Sequence, residues 1–334
     1  MFTRQEALAR VEGASTAALF GPPPASPAER KEGQRLYWAL AAVLHPDRAG
    51  RDDVRALAAS AELTRLYDRW RQARPVELRT AGGVYRLAGR HAVGSVANVY
   101  RTDGHHVVKI VRNPRLNPLL RAEWAALERL RRFTDAHRWL RPYFPVMTDN
   151  GDVGRGERAF TVLEPLLHGF VTLAEVRRAF PHGLDGRDYA WMHRRLLRAV
   201  AAAHRAGLVH GAITADNVLV HPEQHGIVLV GWSFCVEDGQ PPLATAKSVR
   251  YPPEVAAGRP VTAATDVHMT HTLMLELLSR DETGQRAFAR GCTQDDPGRR
   301  PDAVDLLDEY DELLEDLYGE RVFRPFALPD RTGA

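Results

Sequence analysis

The sequence predicts an α+β chain built in three successive parts: a small all-α module, a β-rich lobe and an α-rich lobe. Before residue 74, apolar residues fall at helical spacing on both sides of a short polar loop. After Pro75 the pattern changes to short β-branched runs separated by glycines, and from about Tyr189 helical spacing returns. The 334 residues admit two domains or three small ones, and no repeat at solenoid or propeller spacing is present.

The first helical stretch runs from Thr3 to Leu19 and is stopped by Gly21-Pro22-Pro23-Pro24. After Ser26-Pro27, Leu36, Leu40, Val43 and Leu44 share one face of a helix that ends near Pro46. Ala59, Leu63, Leu66 and Trp70, spaced four, three and four, mark a second helix beyond the polar loop Ala49-Gly50-Arg51-Asp52-Asp53. Together they predict an antiparallel helical hairpin. Strands follow at Val84 to Leu87, Val96 to Tyr100 and Val107 to Val111, then a helix from Leu119 to Phe133 and a strand at Phe160 to Leu163. A helix with Leu196, Val200 and Ala203 on one face leads to two strand-like runs, Val218 to Val220 and Ile227 to Val230, which should pair as a hairpin. The last helix, around Val304, Leu307, Tyr310, Leu314 and Leu317, carries a solvated acidic face. The expected boundaries are 1–74 for the helical module, 75–83 for a linker, 84–165 for the β-rich lobe, 166–322 for the α-rich lobe and 323–334 for a tail.

Composition excludes several classes. No run approaches the ~18 to 20 apolar residues that span a bilayer, and the N-terminus lacks a signal-peptide pattern, so a soluble, cytoplasmic protein without a membrane partner is expected. Two cysteines, Cys235 and Cys292, are too few for a disulfide framework or a structural zinc site and read as core fillers. The net charge of +3, without a basic run, gives no footprint for nucleic acid. Only Lys31, Lys109 and Lys247 are lysines among 45 basic residues, one in fifteen.

Tyr37-Trp38-Ala39-Leu40-Ala41 leading into Leu44-His45-Pro46-Asp47-Arg48, with Ala61 to Tyr67 beyond, resembles the second helix, His-Pro-Asp loop and third helix of the J domain of DnaJ-type co-chaperones. The resemblance implies docking of His45, Pro46 and Asp47 on a DnaK-type chaperone, stimulating its ATP hydrolysis. Lys31, Arg30 and Arg35 would supply the cationic face.

From Val84 to Arg300 the chain resembles a protein kinase, which implies a bilobal fold. Ala92 to Tyr100 stands at the Gly-rich loop, of which Gly94 alone survives. Val107-Val108-Lys109-Ile110 matches the V-A-I-K strand, and the rarity of lysine in this chain makes Lys109 informative, since a compact ammonium suits a phosphate oxygen. The resemblance implies that Lys109 pairs with Glu123 and that the strand ending at Glu164 meets adenine. His210-Gly211-Ala212-Ile213-Thr214-Ala215-Asp216-Asn217 stands where kinases read H-R-D-L-x-x-x-N, so His210 and Asn217 are kept while the catalytic aspartate is Ala212. At the D-F-G position stands Gly231-Trp232-Ser233, without the magnesium carboxylate. Tyr251-Pro252-Pro253-Glu254, Asp266 and Arg300 match structural motifs, and Glu254 and Arg300 should form an internal ion pair.

The expectation is a bacterial J-domain pseudokinase. It would recruit a DnaK-type chaperone and bind an unknown client or partner, with ATP a weak ligand and magnesium doubtful. One alternative is an atypical ATP-dependent transferase in which Asp216 or Glu237 takes the metal. Another is a nucleotide-gated sensor whose J-like module is structural. His268 and His271 lack a third metal ligand in sequence, His204 reads as a packing residue and Lys247 as a solvated one.

Overall fold

The computed structural model describes residues 2–21, 23–24, 27–45, 53–73, 76–104, 106–154, 157–247 and 249–329. The chain forms two compact units, Met1–Gly94 with Asn98–Lys109, and Ser95–Ala97 with Ile110–Ala334.

In the first unit, α1 (Arg4–Val11) starts at a capping box: the Thr3 hydroxyl accepts from the Glu6 amide and the Glu6 carboxylate accepts from the Thr3 amide. The chain then turns through Gly13, at φ +71°, into α2 (Thr16–Phe20). One helix was expected over Thr3 to Leu19; Gly13 in the left-handed region divides it into two. Next come α3 (Pro27–Leu44) and α4 (Val54–Gln72), which pack against each other around buried Leu40, Leu44, Ala59, Leu63, Leu66 and Trp70. Asp53 caps α4 by accepting from the Ala56 amide. Gly33 lies within α3, where glycine costs about 1 kcal/mol relative to alanine. A Cβ there would overlap the indole of Trp70, so the glycine admits the ring. Phe20 packs 5.6 Å from Trp70, and Tyr37 stacks on Tyr67 at 4.3 Å.

Four strands complete the unit in the order β1 (Val76–Arg79), β2 (Val84–Val93), β3 (Ala97–Thr102) and β4 (Val107–Val111). Residues 75–83 were expected to be a linker, yet Val76 to Arg79 pair antiparallel with Leu87 to Val84. Only Leu78 of β1 is buried, so its apolar signal is a single side chain. The division between units passes through β4, whose last residues, Ile110 and Val111, belong to the second unit.

The second unit contains α5 (Asn117–Ala136), then β5 (Met147–Val153) and β6 (Arg158–Leu163), an antiparallel hairpin. β7 (Val171–Thr172), α6 (Leu173–Ala179), the long α7 (Gly186–Arg205) and β8 (Leu208–Val209) follow. β9 (Val218–His221) and β10 (Gly226–Leu229) form the expected hairpin, with β7 on the other edge of β9, while β11 (Val236–Glu237) pairs with β8. The unit ends in α8 (Pro253–Ala256), α9 (Ala263–Leu277), α10 (Thr283–Cys292) and α11 (Asp305–Tyr318). Its core gathers Leu127 and Leu130 of α5 with Leu196, Leu197 and Val200 of α7 and Leu273 and Met274 of α9. Sharing that core keeps α5 in the second unit with the α-rich elements. Among the described residues, no helix is long and apolar enough to cross a membrane.

Candidate functional site

The loop after β8 hangs from one buried carboxylate. Asp266, in the first turn of α9, is fully buried and accepts from the amides of His210 at 2.7 Å and Gly211 at 2.9 Å and from His204 Nε2 at 3.2 Å. Three donors offset the cost of burying the charge and fix where the loop begins. His210 Nε2 donates to the Val230 carbonyl at 2.9 Å, and its Nδ1 accepts from the Ala212 amide at 3.2 Å. Those partners set a neutral imidazole protonated on Nε2.

Ala212 presents a fully buried methyl and no proton acceptor. Its carbonyl accepts from Asn217 Nδ2 at 2.8 Å, and the Asn217 carbonyl accepts from the Val230 amide at 2.9 Å. The neighbouring Gly231 has φ +85°, and a Cβ added there would collide with the Asn217 carboxamide. Trp232 is fully buried, donates from Nε1 to Leu229 O at 2.8 Å, and meets the rings of His210 at 4.6 Å and Phe144 at 5.7 Å. Ser233 Oγ donates to Glu123 Oε2 at 2.9 Å, joining this turn to α5. Glu123 is only 1% exposed. The Ser233–Glu123 contact joins positions 110 residues apart and had no signal in the sequence.

Magnesium is bound by several hard oxygen ligands, commonly carboxylates. Gly231 offers none, and the amide of Asn217 fills the space a side chain there would take. The residues at this place therefore do not fit the metal. Asp216 is exposed, and Glu237 is held by Arg129 at 2.7 Å, so the acid considered as a substitute ligand is committed to a guanidinium. Among the described residues no group of three His, Cys, Asp or Glu side chains is arranged to hold a metal. His271 Nδ1 donates to Val267 O at 2.7 Å, and His268 bonds Thr272 Oγ1 at 3.3 Å. Cys235 and Cys292 are buried, and burial pushes the Cys292 thiol up to about 12.

Arg300 meets Glu254 through two bonds, Nη1 to Oε1 at 2.7 Å and Nη2 to Oε2 at 2.9 Å, with both side chains almost fully buried. Its remaining donors reach the carbonyls of Gln294, Ala264 and Asp295, and Thr265 Oγ1 donates to Glu254 at 3.0 Å. Glu164 is exposed, and its amide donates to Val146 O at 2.9 Å.

In the first unit, Gly94 follows β2 and Lys109 lies on β4, both half-buried. Lys31, Arg35 and Trp38 share the solvent face of α3, with Trp38 61% exposed, opposite the buried Gly33, Leu40 and Leu44. His45 directly follows α3 and is exposed; Pro46 and Asp47 lie outside the described residues.

No protein-family model and no curated protein matches the sequence. The fold resembles the solved structure of vaccinia related kinase 3, with a TM-score of 0.55 and 18% identity over 74% of this chain and 92% of that one. The fold is thus kinase-like.

Proposed function

We propose that the chain is a J-domain pseudokinase: a co-chaperone that recruits a DnaK-type chaperone through His45, Pro46 and Asp47 and holds a client or partner on a kinase-like scaffold that does not transfer phosphate. The observation that carries the reading is the pair of missing carboxylates. A methyl stands at 212, and at 231 a left-handed glycine has the Asn217 side chain against it. Phosphoryl transfer rests on positioning and on metal neutralisation of developing charge. Loss of the base alone slows such a reaction; loss of the metal carboxylate removes the larger contribution.

The elements that hold the fold are intact in this chain. Asp266 organises the loop, Trp232 fills the aromatic position, and Glu254 pairs with Arg300. That division between kept scaffold and missing chemistry supports binding over turnover. On the helical module, the exposed stripe of Lys31, Arg35 and Trp38 beside His45 supports a docking role, because a cationic face next to an exposed imidazole suits an acidic partner surface.

Two measurements test the reading. Stimulation of a DnaK-type ATPase is expected from the intact chain and lost in His45→Gln; equal stimulation by the variant contradicts the co-chaperone role. Thermal shift with ATP is expected to be the same with and without magnesium, whereas a shift that needs magnesium favours the transferase alternative. A ligand at 100 times its dissociation constant adds about 2.7 kcal/mol, a shift that is readily read.

A further inference from the structure

On the second unit, two buried histidines of the body each meet an aromatic ring of the last segment of the chain. His193, on α7, lies edge-on to Tyr310 of α11 at 4.7 Å, and His225, in the turn between β9 and β10, stacks on Phe323 of the tail at 4.7 Å. Behind each lies a further ring of the body: His271 of α9 is 4.9 Å from His193, and Trp191 of α7 is 4.1 Å from His225 and 5° from parallel. Phe326 continues the contact, buried beside Trp191 and stacked on Phe180 at 5.6 Å, and Arg324 donates to Asp188 at 2.9 Å.

These side chains are the main fastening of the segment. Of the 14 residues of α11, Leu306 and Tyr310 are buried. Past Gly319, at φ +75°, no backbone–backbone hydrogen bond ties residues 320–329 to the body among the described residues. A helix with so few buried side chains, followed by a tail without a backbone ladder, opens at lower cost than the core beneath it.

The histidines make that opening depend on pH. Among the described residues, both nitrogens of His193 and Nε2 of His225 are buried without a hydrogen-bond partner, so neither ring has a place prepared for a second proton. The titratable groups around His193 are Tyr189 of its own helix, His271 of α9 and Tyr310 of α11, none of which supplies a negative charge. Of the carboxylates on the elements packed there, Asp311 is bonded to Arg194, and Glu282, at the start of α10, to the Gly186 amide and the Tyr318 hydroxyl. Around His225 stand Arg195 of α7 and Arg321 of the tail, while Asp188 is taken by Arg324 and Glu223 of the same turn is exposed. Burial, with His271 beside it, holds His193 well below 6.5, and burial followed by the charge of Arg195 lowers His225. The neutral rings therefore stabilise the closed segment fully above pH 6.5, and that contribution is lost as pH falls below it.

We propose that residues 305–328 form an acid-released latch on α7: on opening, His193 and His225 take up protons, α11 and the tail come away, and the rest of the second unit stays folded. The latch is independent of nucleotide and of the chaperone-docking face.

Hydrogen–deuterium exchange of the full chain at pH 7.5 and pH 5, corrected for intrinsic rates, tests it. A histidine that is protonated only in the open state raises the open fraction about 30-fold between those two pH values. Protection of the α11 amides is expected to fall by at least that factor, while the amides of α5 keep theirs. The ratio between the two pH values should shrink in His193→Phe and in His225→Asn, since asparagine tolerates the φ of +52° at that position. His225→Asn lies in a turn and leaves the core around His193 untouched, so it decides the matter where His193→Phe does not fold. A uniform loss of protection over the second unit, no loss in α11, or an undiminished ratio in either variant overturns the proposal.

Discussion

The carboxamide of Asn217 occupies the space that a side chain at Gly231 would need. At the same time its Nδ2 is tied to the Ala212 carbonyl at 2.8 Å, so it is not free to swing aside. Ala212 and Gly231, the positions that the kinase resemblance assigns to carboxylates, are thus coupled through one asparagine.

Gly231→Asp is expected to lower stability by about 1–3 kcal/mol, from the collision and the left-handed backbone, without producing phosphoryl transfer. Equilibrium unfolding of Gly231→Asp, Asn217→Gly and the double variant checks this. A favourable coupling of roughly 0.5–3 kcal/mol between the two changes is predicted. Additive losses would show that the two side chains do not compete for the same space.

Gly33→Ala makes a counterintuitive test in the helical module. Helix propensity alone favours the change by about 1 kcal/mol, but the added methyl overlaps the Trp70 ring. Overpacking of this kind costs about 1–3 kcal/mol, so the variant should be less stable by thermal unfolding, and Trp70→Leu should relieve the loss. A stabilised Gly33→Ala would contradict the packing of α3 on α4.

Arg300→Leu strands a buried carboxylate and should cost about 3–5 kcal/mol, whereas Glu254→Met with Arg300→Leu should cost less than the single change. Burial alone would raise the Glu254 carboxyl; the hydrogen bonds and charge of Arg300 outweigh it and hold the group below the usual carboxylate value of 4.5. The pair's contribution is therefore present above pH 4.5 and is lost as pH falls below it. Denaturant midpoints for the single and double variants decide between this and a pair of no consequence.

Acid should loosen the second unit earlier, through two buried imidazoles. His193 and His271 are fully buried with rings 4.9 Å apart. Among the described residues, neither nitrogen of His193 has a hydrogen-bond partner, nor has Nε2 of His271. Burial drives both below 6.5, His271 to about 4, despite the opposing bond to Val267. The unfolded chain therefore takes up protons that the folded one refuses. The contribution of neutral His271 is complete above pH 6.5 and is lost as pH falls toward 4. Each histidine adds up to about 1.4 kcal/mol per pH unit to the slope in that window. Urea unfolding at pH 5 and pH 7.5 should show a flatter dependence in His271→Gln, and an unchanged slope would contradict the assignment. His193 also meets the ring of Tyr310 edge-on at 4.7 Å.

Where side chains speak through regular spacing, the sequence was readable. Ala59, Leu63, Leu66 and Trp70 are all buried on α4, and Val218, Leu219 and Val220 pair with Leu229, Val228 and Ile227 in the expected hairpin. The strand β5, Met147-Thr148-Asp149-Asn150-Gly151-Asp152-Val153, gave no warning, since its polar residues lie on an exposed hairpin and its register comes from β6. The acidic helix was placed correctly, and of its expected apolar face Tyr310 is buried and Val304, Leu307 and Leu314 pack against the core, while Leu317 is 41% exposed. Ring stacking such as Trp191 on His225 on Phe323 joins positions more than a hundred residues apart, and no local pattern encodes it.

Transfer of label from γ-labelled ATP in magnesium and in manganese, to the chain itself and to a general acceptor protein, tests the central claim most directly. The account predicts no transfer above that of the Lys109→Ala variant. Label that appears with the wild-type chain and disappears with Lys109→Ala would contradict it.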